Sequence, residues 1–368
     1  MRVALIHYWL VTWRGGEHVL KAITNLFPDA DIYTHVADPD LLAKNLPGRR
    51  VKTTFIARLP FAKRLYQNYL PLMPLALEQL DLRQYDLIIS SESGPAKGVI
   101  VSPHATHICY CHSPMRYVWD RYYDYRAQTR LPARMAMTPL LHYLRMWDQL
   151  SAQRVDHFVA NSQFVSARIK KYYRRESEVI HPPVAVSSFV ASQDTDGFYL
   201  WVGQLVAYKR PDLAVEAFNA LEKPLIMIGE GPLLPRLRRA AKSNIRFLGR
   251  QPFNVIVDHY RRCRALVFPG IEDFGIVPIE AMSSGKPVIA FNYGGARETI
   301  IDGVTGVLFS QQTANSVIDA VRSFELNDNF DANALRDHAN NFSDSVFEAN
   351  FRSMVERVLS NQNKHHQE

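Results

Sequence analysis

Glu272 and Glu280 stand eight residues apart in Glu272-Asp273-Phe274-Gly275-Ile276-Val277-Pro278-Ile279-Glu280-Ala281, bracketing a glycine turn and a helix start. Such a turn offers free backbone amides to an anion, and the carboxylates accept hydrogen bonds from sugar hydroxyls. Taken singly, Glu272 is a surface acid and Glu280 a helix N-terminal acid, both common. Their company at other strand ends makes that bland reading poor. Gly203-Gln204-Leu205-Val206-Ala207-Tyr208-Lys209-Arg210-Pro211 joins a strand to a proline-started helix and places two cations there, and Gly229-Glu230-Gly231-Pro232 ends the next strand. Near the amino terminus, Arg14-Gly15-Gly16-Glu17 separates a strand from a helix, and two glycines there let backbone amides approach a phosphate. Two glycines alone read as a tight turn. His112 closes the strand Cys109-Tyr110-Cys111 just before a proline turn. A lone histidine in that position is more often structural, and the Cys109, Cys111, His112 spacing fits no zinc pattern.

The elements that must position these residues alternate. Apolar runs at Val3–Ile6, Asp31–Val36, Leu87–Ser90, Thr106–Cys111 and His157–Asn161 predict buried strands in the first half. Tyr199–Gly203, Leu225–Gly229, Ile245–Leu248, Ala265–Pro269, Pro287–Phe291 and Gly306–Phe309 predict the same in the second. Helical patterns fall between them at Glu17–Phe27, from Asp148–Ser151 onward, and at Pro211–Leu221, Leu234–Ala241, Asn254–Arg262 and Ala314–Phe324. Strands alternating with helices imply an α/β chain with two doubly wound parallel sheets, whose ligands sit at strand carboxyl ends. The prolines of Ile180-His181-Pro182-Pro183-Val184 and the polar stretch Ser187–Gly197 mark the boundary. The expected division is 1–184 and 185–344, with a helix over 345–361 that crosses back to the first domain and a polar tail at 362–368. Ser345 and Glu348 have capping-box spacing for that helix.

At 368 residues the chain suits two domains, and 47% hydrophobic with 21% charged residues excludes a disordered or fibrous chain. The start turns polar at His7 and Arg14 without a small-residue cleavage site, and no apolar run approaches the ~18 residues of a membrane span, so a cytoplasmic location is expected. Cys109 and Cys111, two apart on one strand, cannot close an unstrained disulfide and Cys263 is far away in sequence, so a reducing compartment is expected. Residues 1–185 hold 24 basic and 15 acidic residues, whereas the remainder holds 19 and 21. Between Asp40 and Glu78 lie Lys44, Arg49, Arg50, Lys52, Arg58, Lys63 and Arg64 with no acid, interleaved with Phe55, Phe61, Tyr66 and Tyr69. An anionic membrane surface or nucleic acid suits that pattern, as does a merely solvated face. No G-x-G-x-x-G and no P-loop is present, which counts against nicotinamide enzymes and phosphate-loop ATPases. Nor is there a helix-turn-helix or RNP-like signature, so a nucleic-acid partner is not expected.

The run Glu272–Glu280 resembles the E-x7-E motif of the retaining glycosyltransferases of family four, which have the two-Rossmann-domain GT-B fold with the domains facing a cleft. The likeness covers nearly the whole chain: Gly15-Gly16, His112, the Lys209 loop, Gly229–Pro232, Phe247-Leu248-Gly249-Arg250, and Gly294-Gly295 with Glu298. Tyr69–Pro74 and the string His112-Ser113-Pro114-Met115-Arg116-Tyr117-Val118-Trp119-Asp120 are similar to bacterial O-antigen and exopolysaccharide mannosyltransferases. The resemblance implies transfer of mannose from GDP-mannose to a saccharide acceptor, lipid-linked, at the inner face of the cytoplasmic membrane, reached through the basic 44–64 stretch. Other donors on the same scaffold are a UDP-sugar or GDP-fucose. Glu280 would accept from ribose hydroxyls. Glu272 and the amides of Phe274, Gly275, Ile276 and Val277 would hold the transferred sugar. Lys209 and Arg210 would neutralise the diphosphate, with Gly15 and Gly16 assisting, so that no metal or other cofactor is required. His112 would contact the donor sugar, Gly249 and Arg250 would border the base, and Arg116, Tyr117, Trp119 and Asp120 are the acceptor-side candidates. Relatives carry arginine where this chain has Gln204, and Arg210 is expected to supply the missing cation. The strings Asp29-Ala30-Asp31, Asp38-Pro39-Asp40 and Asp194-Thr195-Asp196 read as turns rather than metal sites.

Overall fold

The computed structural model describes residues 1–127, 129 and 131–365. The chain forms two units, Met1–Pro182 together with the chain from Phe347 onward, and Pro183–Val346. In the first, strands β1 (Val3–His7), β2 (Asp31–Thr34), β3 (Val51–Thr53), β4 (Leu87–Glu92), β5 (Thr106–Cys111), β6 (His157–Ala160) and β7 (Glu178–Val179) make one parallel sheet in the order β3-β2-β1-β4-β5-β6-β7. Ala4 of β1 lies opposite both Asp31 and Ile88. β1, β4 and β5 are buried along their whole length, as continuous apolar runs covered by helices on both faces must be. The two edge strands were not expected. They are three and two residues long, and neither is apolar enough to announce itself.

The helix Gly15–Leu26 buries Val19, Leu20 and Ile23 against Leu5, Ile89 and Tyr110. Phe347, Phe351, Met354 and Val355 of the final helix, Asp344–His365, join the same core. That helix begins one residue before Ser345, which therefore lies inside the first turn rather than capping it. It also runs on to His365, so only residues 366–368 of the expected polar tail lie outside the described residues. The sequence reading started a helix near Asp148, where the structure ends one: Leu131–Ala152 buries Leu141, Leu144 and Trp147. Outward-facing Leu131, Met135 and Met146 blur its apolar periodicity, and Pro139 interrupts it. The helix that follows is Gln163–Tyr173, capped by the Ser162 hydroxyl, which accepts from Val165 N at 3.1 Å.

The second unit holds β8 (Tyr199–Val202), β9 (Leu225–Ile228), β10 (Ile245–Gly249), β11 (Leu266–Phe268), β12 (Val288–Phe291) and β13 (Gly306–Phe309), parallel in the order β10-β9-β8-β11-β12-β13. Apolar cores lie on both faces of this sheet. The stretch read as a polar linker is partly packed into one of them, because Phe189 is buried and Ser192 N donates to Ser284 O at 3.1 Å. Each sheet reverses its strand order once, between β1 and β4 and between β8 and β11. The connections on either side of such a reversal leave in opposite directions and open a crevice at the strand carboxyl ends.

Phe351 is fully buried, 5.5 Å from the Phe347 ring and 6.3 Å from that of Tyr110. Phe351→Ala is expected to destabilise the protein by about 3–5 kcal/mol through lost burial and a residual cavity, read as a lower urea midpoint for the full chain.

Candidate functional site

Each reversal point carries a polar cluster. In the second unit Lys209 follows β8 and Glu272 follows β11, so the topology brings together two residues 63 positions apart. Lys209 Nζ donates to Glu272 Oε1 at 2.5 Å, and both side chains are largely covered. Burial disfavours the lysine charge, but Glu272 and then Tyr208 outweigh it, and the Lys209 pKa is raised. The loops that hold the pair are crowded against one another. Ile271 N donates to Tyr208 O at 3.2 Å and Gly295 N to Glu272 O at 2.9 Å. A Cβ on Gly295 would lie 2.1 Å from Phe274 O, and one on Gly229 only 1.8 Å from Gly203 O, so these contacts admit no side chain.

Gly275, at φ +91°, turns the chain into the helix Ile276–Ser283, whose first amides lack intrahelical acceptors. Glu280, on that helix, accepts from the Tyr260 hydroxyl at 2.8 Å. Burial raises its carboxyl to about 7, against the Tyr260 hydrogen bond and the Lys209 charge, with Glu272 adding to the rise. Lys209, Glu272, Glu280 and the Phe274–Val277 turn are thus gathered at one place. Gly249 ends β10, where its carbonyl accepts from Gly229 N at 2.8 Å, and Arg250 beyond it is exposed.

Arg210 departs from the expectation. It caps the helix Pro211–Leu221 in the left-handed region at φ +50°, and its guanidinium grips Asp212 through Nε at 3.0 Å and Nη2 at 2.8 Å. Nη1 donates to Gln312 Oε1 at 3.4 Å. Its charge is already matched, and Lys209 alone of the two reaches Glu272. Gln204 is exposed. Asp212 gave no signal in the sequence beyond being a first-turn acid. Tyr260 gave none beyond its place in a predicted helix.

In the first unit, Gly15 and Gly16 open the helix Gly15–Leu26, and His112 follows β5. A Cβ on Gly16 would meet Tyr8 Oη at 2.5 Å and His112 Nε2 at 3.5 Å, which puts the glycine turn beside the histidine. His112 Nε2 shares a hydrogen bond with Ser91 Oγ at 2.8 Å, and Ser91 Oγ shares another with His7 Nδ1 at 3.1 Å. His7 Nε2 lies 3.9 Å from Glu17 Oε1, while Glu17 Oε2 accepts from Arg14 N at 2.8 Å. Burial lowers the His112 pKa to about 3, with the neighbouring His7 adding to the fall, so the ring is neutral. Sequence reasoning missed His7, Ser91 and Glu17 as partners of His112. Their signal was polar residues at the ends of buried strands and in the first turn of an amphipathic helix.

The acceptor-side candidates are tied into the scaffold. Arg168 reaches Ser113 Oγ at 2.8 Å and Asp120 Oδ1 at 2.8 Å, and Arg116 lies 3.6 Å from Asp120. Tyr117 Oη contacts Met115 Sδ at 2.8 Å. Trp119 stacks on Tyr172 and donates Nε1 to Asp148 Oδ2 at 2.7 Å. Asp148 also takes Lys97, which is fully buried and holds Glu92 Oε1 at 2.8 Å. Trp119 and Asp120 thus have their polar partners within the scaffold itself. Cys109 and Cys111 are buried and unbridged. Among the described residues no group of three or more His, Cys, Asp or Glu could hold a metal ion.

The raised Glu280 carboxyl carries a pH dependence. Its folded value, about 7, lies above the ordinary 4.5, so the native protein binds this proton more tightly than the unfolded chain does. The associated stability is fully present below about 4.5 and is lost as pH rises through about 7. Glu280→Gln, which does not titrate, should flatten that part of the unfolding free-energy profile measured by urea titration between those two pH values.

The family model for glycosyl transferases group 1 matches residues 187–342, and that for glycosyltransferase family 4 matches residues 13–188. The chain is 28% identical over 171 residues to an uncharacterized glycosyltransferase, MJ1178, of Methanocaldococcus jannaschii, covering 45% of this chain and 48% of that protein. It is 26% identical over 228 residues to the O-antigen chain mannosyltransferase RfbU of Salmonella typhimurium, covering 59% and 62%. The matches therefore span about half to three fifths of these relatives. The crystal structure of Anabaena HepE in complex with UDP and glucose superposes with a TM-score of 0.71 at 16% identity over 97% of this chain and 99% of that one, a likeness of fold. The two family models between them account for residues 13–342, and the chain belongs to the family 4 and group 1 glycosyltransferases of the GT-B fold.

Proposed function

We propose that this protein is a retaining glycosyltransferase that moves mannose from GDP-mannose to a lipid-linked saccharide acceptor. The observation that carries the reading is the single cluster of Lys209, Glu272, Glu280 and the Gly275 turn at the β8/β11 reversal. Lys209 offers the charge a diphosphate needs, and the amides of Phe274–Val277 add partial positive charge. Glu272 aligns the sugar and Glu280 accepts from ribose hydroxyls. His112 contacts a hydroxyl of the transferred sugar. As the bond from the anomeric carbon to the phosphate oxygen breaks, negative charge grows on that oxygen, and fixed cations and amides stabilise it. The oxygen then takes the proton of the acceptor hydroxyl while the new glycosidic bond forms on the same face, which retains configuration. Glu272 is held by Lys209 and Glu280 by Tyr260, and neither is assigned as the nucleophile of a double displacement. The choice of mannose rests on the motif 112–120 and on the mannosyltransferase RfbU. A UDP-sugar is the competing donor.

Release of free nucleotide from a panel of GDP- and UDP-sugars tests the donor. With GDP-mannose, Lys209→Ala is expected to lower turnover about 10²-fold or more, the range for a lost transition-state donor. Arg210→Ala, whose charge Asp212 already engages, should cost less than about 10-fold. Glu272→Ala should depress kcat and Glu280→Ala should raise the donor KM. Excess chelator should leave the initial rate unchanged. Wild-type kinetics in both glutamate variants would refute the site.

Membrane association through the 44–64 stretch belongs to the same proposal. Arg50 and Lys52 pair with Asp31, and Lys63 with Asp38, whereas Lys44, Arg58 and Arg64 have no ion pair among the described residues. Phe61 is 76% exposed in their midst. No helix among the described residues is long and apolar enough to cross a membrane. Phosphatidylglycerol vesicles should cosediment the protein at low salt, and Arg58→Glu with Arg64→Glu should abolish it, since each basic residue contributes about 1 kcal/mol at such a surface.

A further inference from the structure

We propose that the Glu17 carboxylate and the hydrogen bonds between His7 and Ser91 and between Ser91 and His112 form a buried relay that fixes the tautomer of His112 and leaves its Nδ1 a hydrogen-bond acceptor. The proposal rests on the reading that His112 meets a sugar hydroxyl, and it assigns positioning roles to three residues behind it.

The relay follows from counting protons. Ser91 Oγ has one hydrogen and two imidazole neighbours, His7 Nδ1 at 3.1 Å and His112 Nε2 at 2.8 Å. It can donate to only one of them and must accept from the other. Which one is decided at the far end. His7 is 1% exposed, and its Nε2 has no hydrogen-bond partner within ordinary range; the carboxylate oxygen facing it is Glu17 Oε1, at 3.9 Å. A lone pair on Nε2 would face a negative charge in a low-dielectric interior, whereas an N–H there is attracted to it. Glu17 is itself held by the backbone amide of Arg14, which donates to Oε2 at 2.8 Å. In the neutral His7 ring with its proton on Nε2, Nδ1 is an acceptor and takes the Ser91 hydroxyl hydrogen. Ser91 Oγ then accepts from His112 Nε2–H. A neutral imidazole has one proton, so His112 Nδ1 is left with its lone pair.

The consequence is a choice of partner. His112 with a bare Nδ1 accepts a hydrogen bond from a hydroxyl and cannot donate one to an oxyanion. A ligand group that meets Nδ1 must therefore carry a proton, which a sugar hydroxyl does and an ionised phosphate does not. Glu17, adjacent to Gly16 in the same turn, links the polarity of His112 to the placement of the glycine turn beside it.

Nitrogen-15 NMR of the full chain labelled at histidine reads the tautomer directly and needs no substrate. The expected wild-type spectrum gives His112 a pyrrole-type shift at Nε2 and a pyridine-type shift at Nδ1. The opposite assignment would overturn the relay. Ser91→Ala should move both shifts towards a mixture of tautomers, lower kcat about 10-fold with the donor KM within about twofold, and be largely restored by Ser91→Thr. Should Ser91→Ala fail to fold, Glu17→Gln serves instead: its amide can face Nε2 with either an oxygen or an N–H, and the His112 shifts should again become mixed. Unchanged shifts in a folded variant would refute the relay. Absence of turnover with every nucleotide sugar would sink the proposed function and leave the spectroscopic result standing.

Discussion

A lysine ammonium set deep in a protein must have an anion beside it, and the second unit is arranged to meet that demand. Lys209 cannot shed its solvation without a partner, because desolvation costs a point charge several kcal/mol. Glu272 is that partner at 2.5 Å, and it is supplied from a different strand. The pair can form only if the loops after β8 and β11 lie against each other, and they do so only because the sheet reverses its order between those strands. A charge requirement at one nitrogen thus fixes what the topology around it must be.

Backbone contact enforces the same geometry. Gly229 touches Gly203, Gly270 approaches Lys209 so closely that a Cβ would lie 2.7 Å from its Cα, and Gly295 meets Phe274. The strand-end loops are interlocked peptide against peptide, which leaves the Lys209–Glu272 pair little freedom to drift. Rigid support of this kind is what a site that works by electrostatic preorganisation needs. The first unit reaches rigidity by another route. There charged groups are buried against one another in the Glu92–Lys97–Asp148 cluster, which also anchors Trp119. Removing Lys97 would leave two buried carboxylates without their cation, and Asp148 ties Trp119, in the segment after His112, to the same cluster.

Strand ends were legible in the sequence because buried parallel strands are apolar runs and the residues that follow them are conspicuous. Eleven of the thirteen strands announce themselves that way. β3 and β7 do not, since an edge strand has one neighbour and needs no long apolar run. The carboxylates and Lys209 were found through their spacing about glycines. His7, Ser91 and Glu17 were not found as neighbours of His112, because a series of polar contacts across β1, β4, a helix and β5 leaves no spacing in the chain. The helix Leu131–Ala152 was misplaced for a physical reason. Its outward face carries Leu131, Met135, Met146 and Leu150, so apolar residues surround it and the 3.6-residue rhythm disappears.

Arg210 shows where residue type and position mislead when taken without backbone. An arginine next to the key lysine was a reasonable substitute for the cation missing at Gln204. Its left-handed backbone at φ +50° swings the side chain to the acid two residues on, and a bidentate arginine–carboxylate pair is a strong local trap. The second unit is therefore left with one committed cation in its cluster, balanced by Glu272 and opposed by nothing but burial. To bind the diphosphate of the proposed donor, a cation that is already paired would have to exchange its carboxylate for a phosphate or share itself between the two. A diphosphate carries more charge than one ammonium can offset, so under the proposed function the helix-start amides at Phe274–Val277 and the peptide groups of the glycine loops would supply the remainder. Neutral dipoles would do this without the desolvation cost of a second buried cation, which is the physical sense in which the proposed site tolerates glutamine at position 204.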